Sequence, residues 1–167
     1  MIQMPIQAEE ASNHSSQPIT VSNVTIDIDT LINNHKIALE DYDADKIMSI
    51  ANAFLDAYKS TTNLKLKKKI EEALLMKNSE KRMFPHYAAI NDIPYIIKET
   101  INAFIDDPEF LKKLLMATDD SGKTFLHWAV KYHNNDIITT TIDALKESPD
   151  ILQKLLMATD EYGYTYL

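Results

Sequence analysis

Apolar residues recur along the chain with helical spacing from Thr30 onward. Leu31, Ile32, His35, Ile37 and Ala38 mark one helix. After the acidic turn around Asp41 to Asp45, Ile47, Ile50, Ala51, Phe54, Leu55 and Tyr58 form the stripe of a second, more strongly amphipathic one. Leu64, Leu66, Ile70, Ala73, Leu74 and Leu75 outline a third. Residues 1–22 have no such period and are rich in Ser, Gln and Pro, so the sequence predicts a flexible N-terminal tail there. Residues 23–83 then form a helical N-terminal cap.

The remaining half of the chain is internally repeated. At an offset of 41, residues 84–126 match residues 125–167 without a gap, with twenty identities in forty-three positions. The densest match sets Leu114-Leu115-Met116-Ala117-Thr118-Asp119 against Leu155-Leu156-Met157-Ala158-Thr159-Asp160, and Pro108 against Pro149. The apolar positions recur with it: Ile96, Ile97, Ile101, Ala103, Leu111, Leu114 and Leu115 return as Ile137, Ile138, Ile142, Ala144, Leu152, Leu155 and Leu156. A core role follows from both spacing and recurrence. Helices are predicted near 126–133, 135–146 and 149–157. A fainter copy sits in the cap, where Asn52 to Asp56 echoes Asn102 to Asp106 and Leu74-Leu75-Met76 echoes Leu114-Leu115-Met116, at spacings of 50 and 40.

Composition sharpens this picture at one residue type. The 167 residues include only two glycines, Gly122 and Gly163, 41 apart and each three residues after an aspartate. Such placement assigns both to one backbone task, a left-handed residue closing a tight turn, with Asp119 and Asp160 capping that turn. The degenerate turn Asn78 to Arg82 lacks the glycine. Scarce glycine and abundant helix formers predict an all-α fold.

Following the turn, Gly122-Lys123-Thr124-Phe125-Leu126-His127-Trp128-Ala129 resembles the ankyrin-repeat signature of Gly, any residue, Thr-Pro-Leu-His, any residue, Ala, with Phe125 in place of Pro. Met83-Phe84-Pro85-His86-Tyr87-Ala88 is a looser copy, and Asp160, Gly163, Thr165 and Leu167 begin another. The resemblance covers about residues 83–167 and implies a short α-solenoid of ankyrin-like repeats over residues 84–167. The period of 41 exceeds the usual 33 or so, and the extra length falls at Asp106 to Glu109 and Glu147 to Asp150, implying a lengthened or split outer helix. Repeats of this longer type are similar to those in effector proteins that intracellular bacteria deliver into host cells. The resemblance makes Asp119, Gly122, Thr124, His127, Asp160, Gly163, Thr165 and His86 structural residues of the turn and its motif, the imidazoles hydrogen-bonding backbone.

Charge and residue chemistry then narrow the function. Seventeen basic against 25 acidic residues leave a net charge of -8, which repels nucleic acid and anionic lipid. No cysteine is present, no stretch approaches a membrane span, and the first residues lack the pattern of a secretory leader, so a cytoplasmic-type soluble protein is expected, with any secretion into a host cell using a specialised system. Phosphate-binding glycine loops, nucleophile elbows, His-Glu-x-x-His and EF-hand patterns are absent from the sequence. His133 and Asp136 lie three apart and would share a helix face suited to a metal, but a surface loop explains them with fewer conditions. The paired acids at Asp106-Asp107, Asp119-Asp120 and Asp160-Glu161 read as caps and solvated tips. Lys65 and Lys67 to Lys69 read as a solvated helix face.

The expectation is a non-enzymatic protein-interaction module, without cofactor or metal, binding an unidentified protein partner. Recognition belongs where the copies differ, at Ser121 against Tyr162, Lys123 against Tyr164, and Tyr132-His133 against Asn91-Asp92. Alternatives are the targeting portion of a larger effector enzyme whose catalytic domain lies beyond residue 167, or an inhibitor of another bacterial protein. A repeat that stops at Leu167 also leaves an open C-terminal face through which association is expected.

Overall fold

The computed structural model describes residues 19–21 and 24–165. A two-stranded antiparallel hairpin, β1 (Ile19–Val21) and β2 (Val24–Ile26), pairs Ile19 with Ile26 and Val21 with Val24. Nine helices follow among the described residues: α1 (Ile28–Glu40), α2 (Ala44–Ser60), α3 (Leu64–Leu74), α4 (Phe84–Ile90), α5 (Pro94–Phe104), α6 (Pro108–Leu115), α7 (Phe125–Lys131), α8 (Asn135–Leu145) and α9 (Pro149–Leu156). β1 falls at the end of the stretch read as a tail and β2 at the start of the one read as a cap, where Ile, Thr and Val suit a pleated ribbon. The rest of that predicted tail lies outside the described residues. Apart from this ribbon the fold is helical.

Local chemistry explains the helix starts. Asp27, Asp43, Asn63 and Asp107 occupy N-cap positions and accept backbone N–H groups of the first turn, at 3.0 Å from Lys46 to Asp43 and from Lys65 to Asn63. Pro94, Pro108 and Pro149 each open a helix, where the missing N–H costs nothing. Pro108 and Pro149 therefore split the second half of each repeat into two helices rather than lengthening one. Ile105 to Asp107 and Lys146 to Ser148 form the breaks.

The first helices of the three units end alike. Tyr42, Asp92 and His133 have φ of 57°, 51° and 58°, and the next residue in each case donates its N–H five positions back, from Asp43 to Ala38 (3.0 Å), Ile93 to Ala88 (2.9 Å) and Asn134 to Ala129 (2.9 Å). This is a Schellman ending built without glycine. Helix order thus recurs three times, as α1–α2–α3, α4–α5–α6 and α7–α8–α9. The spacing between the first two units starts at 50, as Ala38 to Ala88, and falls to 41 by the burial match of Ile70, Ala73 and Leu74 to Leu111, Leu114 and Leu115. The spacing of 40 inferred from Leu74-Leu75-Met76 is therefore out by one. The surplus lies in α2, six residues longer than α5, and in α3, three longer than α6.

Packing follows the repeat. α4 lies on α7, α5 on α8 and α6 on α9, while α2 covers α4 and α5. One core runs through all units, with Phe54, Phe84, Phe104 and Phe125 its largest buried side chains. Across the unit boundaries, Lys59 pairs with Glu99 at 2.8 Å and the Tyr95 hydroxyl donates to Asn52 at 3.0 Å. Asn134 reaches back from the α7–α8 loop and donates to the Ala89 carbonyl at 2.7 Å.

Candidate interaction surface

The surface is built on three stacked turns. In the middle one, Asp119 Oδ1 accepts the backbone N–H groups of Ser121 and Lys123, both at 2.9 Å, while the Asp119 N–H donates to the Lys123 carbonyl and Gly122 returns to the Asp119 carbonyl. Asp160 does the same for Tyr162 (2.9 Å) and Tyr164 (3.0 Å). Gly122 and Gly163 have φ of 71° and 80°. Asn78 makes the third copy: its side-chain oxygen accepts from Glu80 (3.0 Å) and Arg82 (2.8 Å), and Lys81, at φ 59°, takes the glycine's place. The cap thus retains the turn although its sequence lost the glycine, because the amide oxygen of Asn supplies what the turn requires. Adjacent turns are joined by backbone, Asp120 N–H to the Glu80 carbonyl at 3.0 Å and Glu161 N–H to the Ser121 carbonyl at 3.4 Å.

Two imidazoles tie each turn to the next. His86 Nδ1 accepts the Met83 N–H at 3.1 Å, and its Nε2 donates to the Lys123 carbonyl at 3.1 Å. His127 Nδ1 lies 2.9 Å from the Thr124 hydroxyl and accepts the Thr124 N–H at 3.2 Å, while Nε2 donates to the Tyr164 carbonyl at 3.3 Å. An accepting Nδ1 and a donating Nε2 define the neutral Nε2–H tautomer. Burial depresses both basicities, His86 to about 4, against the pull of its carbonyl partner and of Asp119. Neither ring is available as a general base to a solvent-borne substrate. Thr165 bridges to Thr159 beside the last turn.

An aromatic and cationic layer stands on this frame. The Trp128 Nε1–H donates to Asp119 Oδ2 at 2.8 Å, Arg82 and Lys131 each lie 4.4 Å from the indole, and Tyr132 stacks on it with centroids 5.9 Å apart. Arg82 also pairs with Glu80 at 2.6 Å and approaches Asp119 at 3.9 Å. One turn further, Lys123 lies 3.7 Å from Asp160 and 5.9 Å from the Tyr162 ring. Among the described residues Tyr162 and Tyr164 are the most exposed tyrosines, at 71% and 70%.

Of the residues singled out for recognition, Lys123 and Tyr162 touch, and Tyr132 is exposed beside Trp128. Ser121 contributes mainly backbone, as acceptor from Glu161. His133 is exposed and serves as the left-handed residue of a helix end; among the described residues no group of three or more His, Cys, Asp or Glu side chains is placed to hold a metal ion. Trp128, Arg82 and Lys131 escaped the sequence reading. The signal for Trp128 was a nine-residue step from the capping residue to a ring, Asn78 to Tyr87 and Asp119 to Trp128, 41 residues apart. Elsewhere, a shallow open groove of about 400 Å³ between α5 and α8 is lined by Lys98, Asn102, Thr140, Asp143 and Ala144, none of them singled out for recognition by the sequence. Among the described residues no helix is long and apolar enough to cross a membrane.

Neither the protein-family models nor the curated proteins include a match to this sequence.

Proposed function

We propose that this chain is a non-enzymatic protein-interaction module, a short α-solenoid of ankyrin-like repeats that displays side chains from its turn tips and first helices to a protein partner. The observation that carries the reading is the division of labour within the stacked turns. Positions that repeat are spent on the frame: Asp119 and Asp160 on backbone N–H groups, the two glycines on left-handed turns, His86 and His127 on the neighbouring unit's carbonyl. Positions that do not repeat, Lys123 against Tyr164 and Ser121 against Tyr162, stand on that frame with Tyr132 beside them. Rigidly held aromatic side chains suit recognition because little rotamer freedom is lost on binding.

The neutral, buried imidazoles support binding over bond making, since the motif histidines are committed to structure. The test is site-specific photocrosslinking from Tyr132, Tyr162 and Tyr164, with Lys98 on α5 as a control. The expected result is one protein captured from the three tip positions and not from Lys98, whose affinity for the purified chain falls at least about tenfold in a Tyr132→Ala/Tyr162→Ala variant with unchanged helicity, the size typical of losing interface anchors. Capture that ignores position, or an affinity unmoved by the double variant, overturns the reading.

A further inference from the structure

The ends of the first helices in the three units are equivalent in position and unlike in chemistry. Ile37, Glu40, Asp41 and Tyr42 at the end of α1 correspond to Tyr87, Ile90, Asn91 and Asp92 at the end of α4, and these to Trp128, Lys131, Tyr132 and His133 at the end of α7. Charge changes along this ridge, from two acids through one to a lysine beside a histidine. The charged members are exposed at all three ends. Neighbouring ends touch, since the Tyr87 hydroxyl donates to the Leu39 carbonyl at 3.4 Å and Asn134 to the Ala89 carbonyl at 2.7 Å.

At the α7 end the frame's carboxylates already have partners and the ammonium does not. Asp119 spends one oxygen on two backbone N–H groups and the other on the indole, Glu80 pairs with Arg82, and Asp160 takes two N–H groups with Lys123 beside it. Lys131 makes no ion pair among the described residues, although Asp92, Asp120 and Asp136 are exposed on neighbouring segments. Its ammonium lies 4.4 Å from the centre of the Trp128 ring and 5.9 Å from that of Tyr132. Ring faces attract a cation without neutralising it. Tyr132, 47% exposed, stands beside this cation.

We propose that the α7 end is the docking point for an acidic stretch of a protein partner, one of whose carboxylates pairs with the Lys131 ammonium while an adjoining apolar side chain lies against the Tyr132 ring. This docking point rests on the protein-interaction reading above and adds the partner's chemistry to it. A carboxylate arriving at Lys131 meets an unneutralised cation that two rings already hold in position, so little side-chain freedom is lost on pairing. The same stretch placed at the end of α1 would meet the exposed Glu40 and Asp41, a like-charge contact that costs affinity, so the ridge selects one end. The net charge of -8 disfavours nucleic acid, whose phosphates bring a denser negative charge than a few carboxylates do.

The test selects peptides from a displayed random library on the immobilised 167-residue chain and measures the affinity of the synthesised consensus peptide. The expected consensus is rich in Asp and Glu beside an apolar or aromatic residue. Its affinity should fall at least about tenfold in Lys131→Glu, and severalfold in Lys131→Met, which keeps an aliphatic stem over the indole and removes the charge. Lys68→Glu, an equal change of charge at an exposed position of α3, should leave the affinity within about twofold. A consensus without acidic enrichment, no enrichment at all, equal losses in Lys131→Glu and Lys68→Glu, an affinity unmoved by Lys131→Met, or tighter binding of labelled oligothymidylate than of the peptide overturns the proposal. The protein-interaction reading fails separately. A neutral consensus whose binding falls in Tyr132→Ala removes the acidic occupant and leaves that reading in place, whereas crosslinking from Tyr132, Tyr162 and Tyr164 that ignores position removes the reading itself.

Discussion

The indole N–H of Trp128 donates to Asp119 Oδ2 at 2.8 Å, and one unit earlier Asn78 donates its side-chain N–H to the Tyr87 hydroxyl at 2.9 Å. The same nine-residue link is made with donor and acceptor exchanged. A carboxylate can only accept, which suits indole, whereas an amide nitrogen must donate, which suits a phenol oxygen. Asp119→Asn therefore sets an amide N–H against an indole N–H and should cost about 1–3 kcal/mol, the penalty of an unmade buried hydrogen bond. In a Trp128→Tyr background the same change recreates the Asn78–Tyr87 pair, and the penalty should largely vanish. Urea unfolding of the four proteins in this cycle measures the coupling; equal penalties in both backgrounds would refute the exchange.

His35 is a histidine in the position of a core leucine. It is fully buried on α1, its ring meets Phe54 edge-to-face at 5.5 Å, and among the described residues neither ring nitrogen has a hydrogen-bond partner. Burial alone holds its pKa down at about 4. Replacing it by Leu should stabilise the protein at pH 7 by about 1–3 kcal/mol, through removal of unsatisfied polar atoms. Calorimetric midpoints decide this, and a destabilised His35→Leu protein would contradict it.

Acid sensitivity follows from the same residue and from His86. Both are neutral in the folded chain with pKa values near 4, against about 6.5 when unfolded, so between those values the unfolded state binds more protons. Stability is complete above about pH 6.5 and declines as the pH falls toward 4, by an amount on the order of 3 kcal/mol for each ring. A denaturation series across this range checks the slope, and His35→Leu should flatten it in part, the rest remaining with His86 and with His127, whose basicity burial also lowers. A profile with no slope there would show that the rings are charged or solvated in the fold.

Gly122, Gly163 and Lys81 share one left-handed conformation, Gly122 with neighbouring backbone against it. Gly122→Ala combines a left-handed φ with a 2.6 Å backbone approach and should cost well over about 1 kcal/mol, while Gly163→Ala carries the backbone strain alone, about 1 kcal/mol. Lys81→Gly, in the opposite sense, should stabilise by about 0.5–1 kcal/mol. Thermal midpoints rank the three, and a reversed order for the two glycines would contradict the close packing of adjacent turns.

The helices of the second half lie within about two residues of their sequence-derived limits because proline and apolar period mark both ends, as at Pro149 and at Ile137 to Leu145. What the sequence concealed was the cap. Asn78 and Lys81 hide a turn identical in bonding to Asp119 and Gly122, because an amide oxygen accepts as a carboxylate does and surrounding bonds can hold a lysine at positive φ. Trp128 was hidden for a different reason. Its cation partner Arg82 comes from the preceding turn and reaches the indole only by stacking, so no short motif contains that pair, while the nine-residue step to Asp119 shows only when the turns are compared.

The backbone links between turns also set how the molecule yields to force. Glu161 is tied to Ser121 and Asp120 to Glu80, each turn to its neighbour and none to the turn beyond. A pull on Thr165 loads the Glu161–Ser121 bond and the His127–Tyr164 bond first, and reaches Asp120–Glu80 and His86–Lys123 only after α7–α9 have come away. Units coupled only to their neighbours give way in sequence. A load applied at Thr165 therefore meets the links of the last turn before those nearer Asn78.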